Sequence, residues 1–207
     1  MRILVFGDSI AYGSWAESGW VELIKREMHR RTVASQGNPK LQVLNLAIGG
    51  DTSTKILKRL PGEVASRQSP SWPFIFIFSF GTNDQRTMAG EPETPLGQFE
   101  ANTKAIIQAA RKYTDKLLFV GSPPLGQSIA MLKEKEYADE RVKRYEDHLQ
   151  AVLATERVPF VSIRPTFARA GLEGLYAFDG LHPNDAGHRL IASAVLPELD
   201  TLLSLPC

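Results

Sequence analysis

Four short polar blocks hold the residues best suited to chemistry. They are Gly7-Asp8-Ser9-Ile10, the stretch Asn45 to Ser53 that contains Gly49-Gly50-Asp51-Thr52, Gly81-Thr82-Asn83-Asp84, and Asp179-Gly180-Leu181-His182-Pro183-Asn184. Singly, each has an ordinary reading. Gly-Asp-Ser is a common turn or helix cap, Gly49-Gly50 permits a tight turn, and Asn83-Asp84 suits an Asx-turn. Together they supply a hydroxyl, permissive backbone donors, a carboxamide, and a carboxylate three residues before an imidazole. Those are the parts of acyl transfer: nucleophile, oxyanion donors, base and orienter of the base.

A serine hydroxyl is barely nucleophilic at neutral pH without a base. The chain has four histidines. His29 lies among Arg26, Arg30 and Arg31, an awkward place for a proton acceptor; His148 reads as a solvated imidazole on a helix, and His188 falls inside the last helix. His182 is left, in a loop, with Asp179 placed to turn back onto its Nδ1–H and fix the tautomer. The order Ser9, Asp179, His182 is one that serine hydrolases of α/β type use.

The elements that must position these blocks are five apolar runs: Ile3–Phe6, Leu41–Leu46, Phe74–Phe80, Lys116–Val120 and Pro159–Ile163. The third is apolar at consecutive positions, which suits a strand covered on both faces of a parallel sheet. Helical periods lie between the runs: Trp20, Leu23, Ile24, Met28; then Phe99, Thr103, Ile106, Ile107, Ala110; then Val142, Tyr145, Leu149, Val152, Leu153; and finally Leu190, Ile191, Ala194, Val195. Ile56, Leu60 and their neighbours make a further helix, which Pro61-Gly62 should break in two. Five alternations of strand and helix predict one α/β unit over residues 1–207, a three-layer α/β/α sandwich. Ligands of such sheets bind beyond the carboxyl ends of the strands, and all four blocks fall there.

The four blocks, in this order and spanning residues 7 to 182, resemble those of the SGNH or GDSL hydrolase superfamily. The resemblance implies that Ser9, Gly50, Asn83 and His182 are the four signature residues, with Asp179 completing a triad. It also implies a flavodoxin-like fold with a five-stranded parallel sheet of order 2-1-3-4-5. The implied activity is serine-dependent hydrolysis of carboxylic esters through an acyl-enzyme on Ser9. The backbone N–H groups of Ser9 and Gly50 and the amide of Asn83 would form the oxyanion hole. Asp8 and Asp84 read as braces of their turns, and Asp51 or Thr52 as the cap of the next helix. Ile10 stands where the family's nickname has leucine.

Two other classes compete. Asp179, His182, Asp185 and His188 recur at three-residue steps and could form a metal site, but Pro183 interrupts any continuous helix and Asn184 looks like an N-cap. A non-catalytic flavodoxin-like binding module is the other. Gly7 to Gly13 is neither a dinucleotide fingerprint nor a phosphate loop, so the expectation is no cofactor and no metal.

Composition narrows the partners. Lys plus Arg number 24 against 23 Asp plus Glu, a formal charge of +1 that gives no electrostatic reason for nucleic acid or anionic lipid. No apolar run approaches bilayer length and the N-terminus lacks a signal-peptide core, so a cytoplasmic protein without stable membrane association is expected. The lone Cys207 is read as chemically neutral. The expected partner is a small-molecule ester, contacted by loops offering Tyr12, Trp15, Pro123, Pro124, Leu125, Ile129, Met131, Leu132, Tyr176 and Phe178 as apolar walls. These loops are short, which predicts acyl groups from acetyl to about hexanoyl.

Overall fold

A computed structural model describes residues 1–126 and 137–205. The strands are β1 (Arg2–Gly7), β2 (Gln42–Asn45), β3 (Phe74–Ser79), a small hairpin of β4 (Thr87–Met88) and β5 (Glu91–Pro92), β6 (Leu117–Val120) and β7 (Phe160–Val161). All but the hairpin join one parallel sheet of order β2-β1-β3-β6-β7. Counted by its own strands, that is the order 2-1-3-4-5. The helices are α1 (Ser9–Tyr12), α2 (Trp20–Ala34), α3 (Ser53–Ala65), α4 (Leu96–Arg111), α5 (Asp139–Glu156), α6 (Arg164–Ala170) and α7 (Asp185–Ser204).

Side chains alternate across a strand, so a strand covered on both faces feeds two cores. In β1, Ile3 and Val5 join Trp20, Ile24 and Met28 of α2 and Ile191, Val195 and Leu199 of α7. Leu4 and Phe6 join Ile56, Leu60 and Val64 of α3, with Phe99 and Ile106 of α4 and Leu149 of α5. The second core holds a run of aromatic rings: Phe6 stacks on Phe78, Phe78 on Phe76, and Phe119 packs on Phe78 at 5.0 Å. Two apolar layers, one on each face, give the sandwich.

One local expectation fails. Pro61-Gly62 does not divide the helix, and α3 runs unbroken from Ser53 to Ala65. Ile56, Leu60 and Val64 sit four apart on one fully buried face that spans the proline, while Pro61 and Gly62 are exposed on the other. Burial of that face offsets the roughly 3 kcal/mol that an interior proline costs. The hairpin and α6 were not foreseen. Ala89 and Gly90, both with positive φ, join β4 to β5 as a two-residue turn inside what reads as plain loop. Among the described residues no helix is long and apolar enough to cross a membrane.

Candidate active site

Ser9 begins α1 where β1 leaves the sheet. Asp8 caps the helix by accepting from the Ile10 N–H at 2.9 Å. The turn lies tight on the neighbouring strand: a Cβ on Gly7 would come within 2.5 Å of the Ala11 Cβ and 2.6 Å of the Ser79 carbonyl oxygen. Only glycine fits there.

The imidazole comes from the other end of the chain. Asn184 caps α7 by accepting from the N–H groups of Ala186 and Gly187, and the loop before it is tied by the Ala177 N–H to the His182 carbonyl. His182 Nε2 is 2.7 Å from Ser9 Oγ, and its Nδ1 is 2.6 Å from Asp179 Oδ2. The other Asp179 oxygen accepts from the backbone N–H groups of Leu181 and His182, both at 3.0 Å. Burial pushes the Asp179 carboxyl upward, but the N–H and imidazole bonds outweigh it and hold the group below its usual range. With Nδ1–H donating to that carboxylate, Nε2 carries the lone pair that faces the Ser9 hydroxyl. Such a series can take a proton from an attacking hydroxyl and return it to a departing alkoxide.

Two further blocks close on the serine. A Cβ on Gly49 would lie 3.9 Å from that of Ser9. Gly50 follows with φ +77, a left-handed conformation that favours glycine. Neither the Ser9 nor the Gly50 N–H donates to a described residue. Asn83 is buried; its Nδ2 donates to the Asp51 carbonyl at 3.0 Å and lies 3.4 Å from Asp8 Oδ2. Its Oδ1 accepts from the Tyr137 hydroxyl at 3.1 Å and from Arg86 at 3.4 Å. The amide is therefore held at both ends.

Outside these residues the polar shell is mostly buried carboxyls. Burial raises Asp8 to about 7, against the pull of the Ile10 and Ala11 N–H groups, and raises Asp84 to about 6. Asp84 holds the start of α3 by accepting from the Ser53 N–H and hydroxyl. Thr52, not Asp51, caps α3, and Asp51 pairs with Arg59 at 2.8 Å. Tyr137, Arg86 and Arg59 were missed by sequence reasoning. Tyr137 lies 54 positions from Asn83, Arg59 stands eight positions after Asp51 on α3, and Arg86 follows Asn83 by three in a segment that reads as plain loop.

The four residues of the metal reading do not converge. Asp179 and His182 engage Ser9, while Asp185 accepts from the Ser18 N–H and His188 from the Trp20 N–H. No group of three metal-ligating side chains occurs among the described residues. Of the apolar wall candidates, Tyr12, Trp15 and Phe178 are exposed, whereas Pro123, Pro124 and Leu125 are buried. Tyr176 packs on Phe167 and its hydroxyl donates to the Pro124 carbonyl. Ile129, Met131 and Leu132, like Cys207, lie outside the described residues.

A five-stranded parallel sheet carrying hydroxyl, imidazole and carboxylate in hydrogen-bonded series at its carboxyl edge defines a hydrolase of the doubly wound α/β class. The chain belongs to the GDSL-like Lipase/Acylhydrolase family, whose model matches residues 5–190. It is thus a carboxylic ester hydrolase. It is 30% identical over 208 residues to esterase TesA of Pseudomonas aeruginosa, covering 97% of this chain and 89% of that one. With the isoamyl acetate-hydrolyzing esterase of Saccharomyces cerevisiae it shares 24% over 210 residues, 97% of this chain and 86% of that one. A crystal structure of TesA superposes with a TM-score of 0.72 at 26% identity, covering 98% and 99% of the two chains.

Proposed function

We propose that this protein hydrolyses small-molecule esters of short carboxylic acids through an acyl-enzyme on Ser9. The observation that carries the reading is the continuous series from Ser9 Oγ to His182 to Asp179, at 2.7 and 2.6 Å. Ser9 Oγ attacks the ester carbonyl carbon as its proton passes to His182 Nε2, and Asp179 stabilises the imidazolium. The negative charge gathers on the carbonyl oxygen, for which the donors are the Ser9 N–H, the Gly50 N–H and the Asn83 N–H that otherwise reaches Asp8 Oδ2 at 3.4 Å. Collapse breaks the bond to the alcohol oxygen, and His182 returns the proton to that alkoxide. Water then attacks the acyl carbonyl. Its proton travels through His182 to Ser9 Oγ, and the carboxylic acid leaves.

The short-acyl reading rests on rim size and on likeness to a yeast enzyme named for acetate esters. Each methylene buried in a groove would add roughly 0.8 kcal/mol. A matched ester series from two to sixteen carbons should therefore stop gaining in kcat/KM at about hexanoyl. A rise continuing to the longest soluble chain would overturn the short-acyl part. A fluorophosphonate probe should label Ser9, and Ser9→Ala should lose both labelling and turnover. Labelling of the wild type at another residue would overturn the nucleophile.

A further inference from the structure

Two large aromatic side chains stand beside His182 with little covering them. Trp15 is 60% exposed and Phe178 80%. Their ring centroids are 5.6 Å apart with planes inclined at 51°, and the Trp15 ring meets the His182 imidazole at 6.2 Å and 87°. The loop that carries Trp15 is pinned at its neck. Gly13 and Gly19 approach so closely that a Cβ on Gly19 would lie 2.6 Å from the Gly13 Cα. Beyond that neck the Ser18 N–H donates to Asp185 at the start of α7. At its tip Trp15 adopts φ +65, a left-handed backbone that bulky residues rarely occupy. A strained backbone holding an exposed indole against the imidazole points to a role for that ring.

The side of the site on which the pair stands follows from the mechanism. The nitrogen that takes the Ser9 proton must return it to the leaving alkoxide, so the alcohol oxygen lies within hydrogen-bond reach of His182 Nε2. The oxyanion donors Gly50 and Asn83 belong to other loops. The Trp15 ring, in contact with His182, therefore flanks the alcohol, and Phe178 extends that surface by packing on Trp15. We infer that Trp15 and Phe178 form an aromatic wedge that receives the alcohol moiety of the ester, and that the preferred alcohol carries a six-membered ring. The rings touch each other, and their exposed outer faces, inclined at 51°, offer a broad surface to the C–H bonds of an aryl or pyranose ring that a single-file alkyl chain covers poorly.

The inference rests on the acyl-enzyme reading, and one experiment separates the two. Acetates of ethanol, n-heptanol, benzyl alcohol and a methyl xyloside, all with the same acyl group, are assayed with wild type, Trp15→Ala and Phe178→Ala. In each variant the ratio of kcat/KM for a ring-bearing ester to that for ethyl acetate should fall about tenfold, the scale of a lost aromatic contact. The n-heptyl to ethyl ratio should fall less than about threefold, as the measure of plain apolar area. Whether the benzyl or the xylosyl ester falls further identifies the ring. Trp15→Gly, which frees the strained backbone, should melt no lower than wild type and lose the same selectivity. A ring-to-ethyl ratio unchanged in both alanine variants, or an n-heptyl ratio falling as far as the ring-bearing ones, would overturn the wedge. With Ser9 still labelled by the fluorophosphonate, that failure belongs to the wedge alone.

Discussion

Asn83 shows how much one side chain can be asked to do. One amide N–H is committed to the Asp51 carbonyl, while the Tyr137 hydroxyl and Arg86 fix the oxygen end. The other N–H makes only a long bond to Asp8 Oδ2, at 3.4 Å; if it turns to charge that exists only in the transition state, Asn83→Ala should lower kcat by ~10²–10³ with KM little changed. A rise in KM at constant kcat would instead place the amide on ground-state substrate. His182 and His188 make a paired test. His182→Ala should abolish ester turnover and leave the melting temperature close to wild type. His188 is fully buried, accepts from the Trp20 N–H and is held neutral by burial, down to about 4. His188→Ala should therefore lower the melting temperature, its loss of activity tracking the unfolded fraction. Dialysis against a chelator should leave turnover intact; recovery on adding zinc would revive the metal reading.

At the scale of elements, the periodic segments were legible and the exceptions have physical causes. The alternation of apolar runs with helical periods located every strand of the main sheet, most plainly β1 and β3, whose two buried faces leave no polar side. Pro61 misled because a local rule gives way when a face as apolar as Ile56, Leu60 and Val64 must be buried on both sides of it. Gly62 makes this measurable. It lies exposed inside α3, and a Cβ there would meet nothing within 4 Å. Gly62→Ala should raise stability by about 0.5–1 kcal/mol in denaturant unfolding, since it removes only backbone freedom. The site divides in the same way. Ser9, Asp179 and His182 could be found because their types and strand-end positions are unusual together. Tyr137 could not, because its place at Asn83 depends on a loop 54 positions away, and Arg59 could not, because an arginine on a helix face has no pattern that marks its partner.

The whole molecule carries an unusual charge balance in its interior. Asp8 and Glu146 are raised to about 7 and Asp84 to about 6, all chiefly by burial. A carboxyl whose folded pKa exceeds its unfolded value keeps its proton in the native chain after the unfolded chain has lost it. Stability therefore falls as pH rises from the ordinary carboxylate range to about 7, then levels. His188 acts oppositely between about 4 and 6.5, where the unfolded chain binds the proton first. Between pH 6.5 and 7.5 Asp8 and Glu146 still lose protons in the folded chain, so the melting temperature should drop across that interval. Asp8→Asn keeps an acceptor for the Ile10 N–H and should flatten the drop. An unchanged slope would show that Asp8 is ionised throughout. The assembly of the site also sets an order of events. Ser9 leaves the first strand, yet the imidazole it bonds lies 173 positions later, just before the last helix. A nascent chain holds the serine long before it holds the imidazole, and the sheet must pair non-locally to bring them together. If His182 is the base, turnover needs the carboxyl-terminal segment docked on β1, so turnover during refolding should lag the far-ultraviolet helical signal and time that docking.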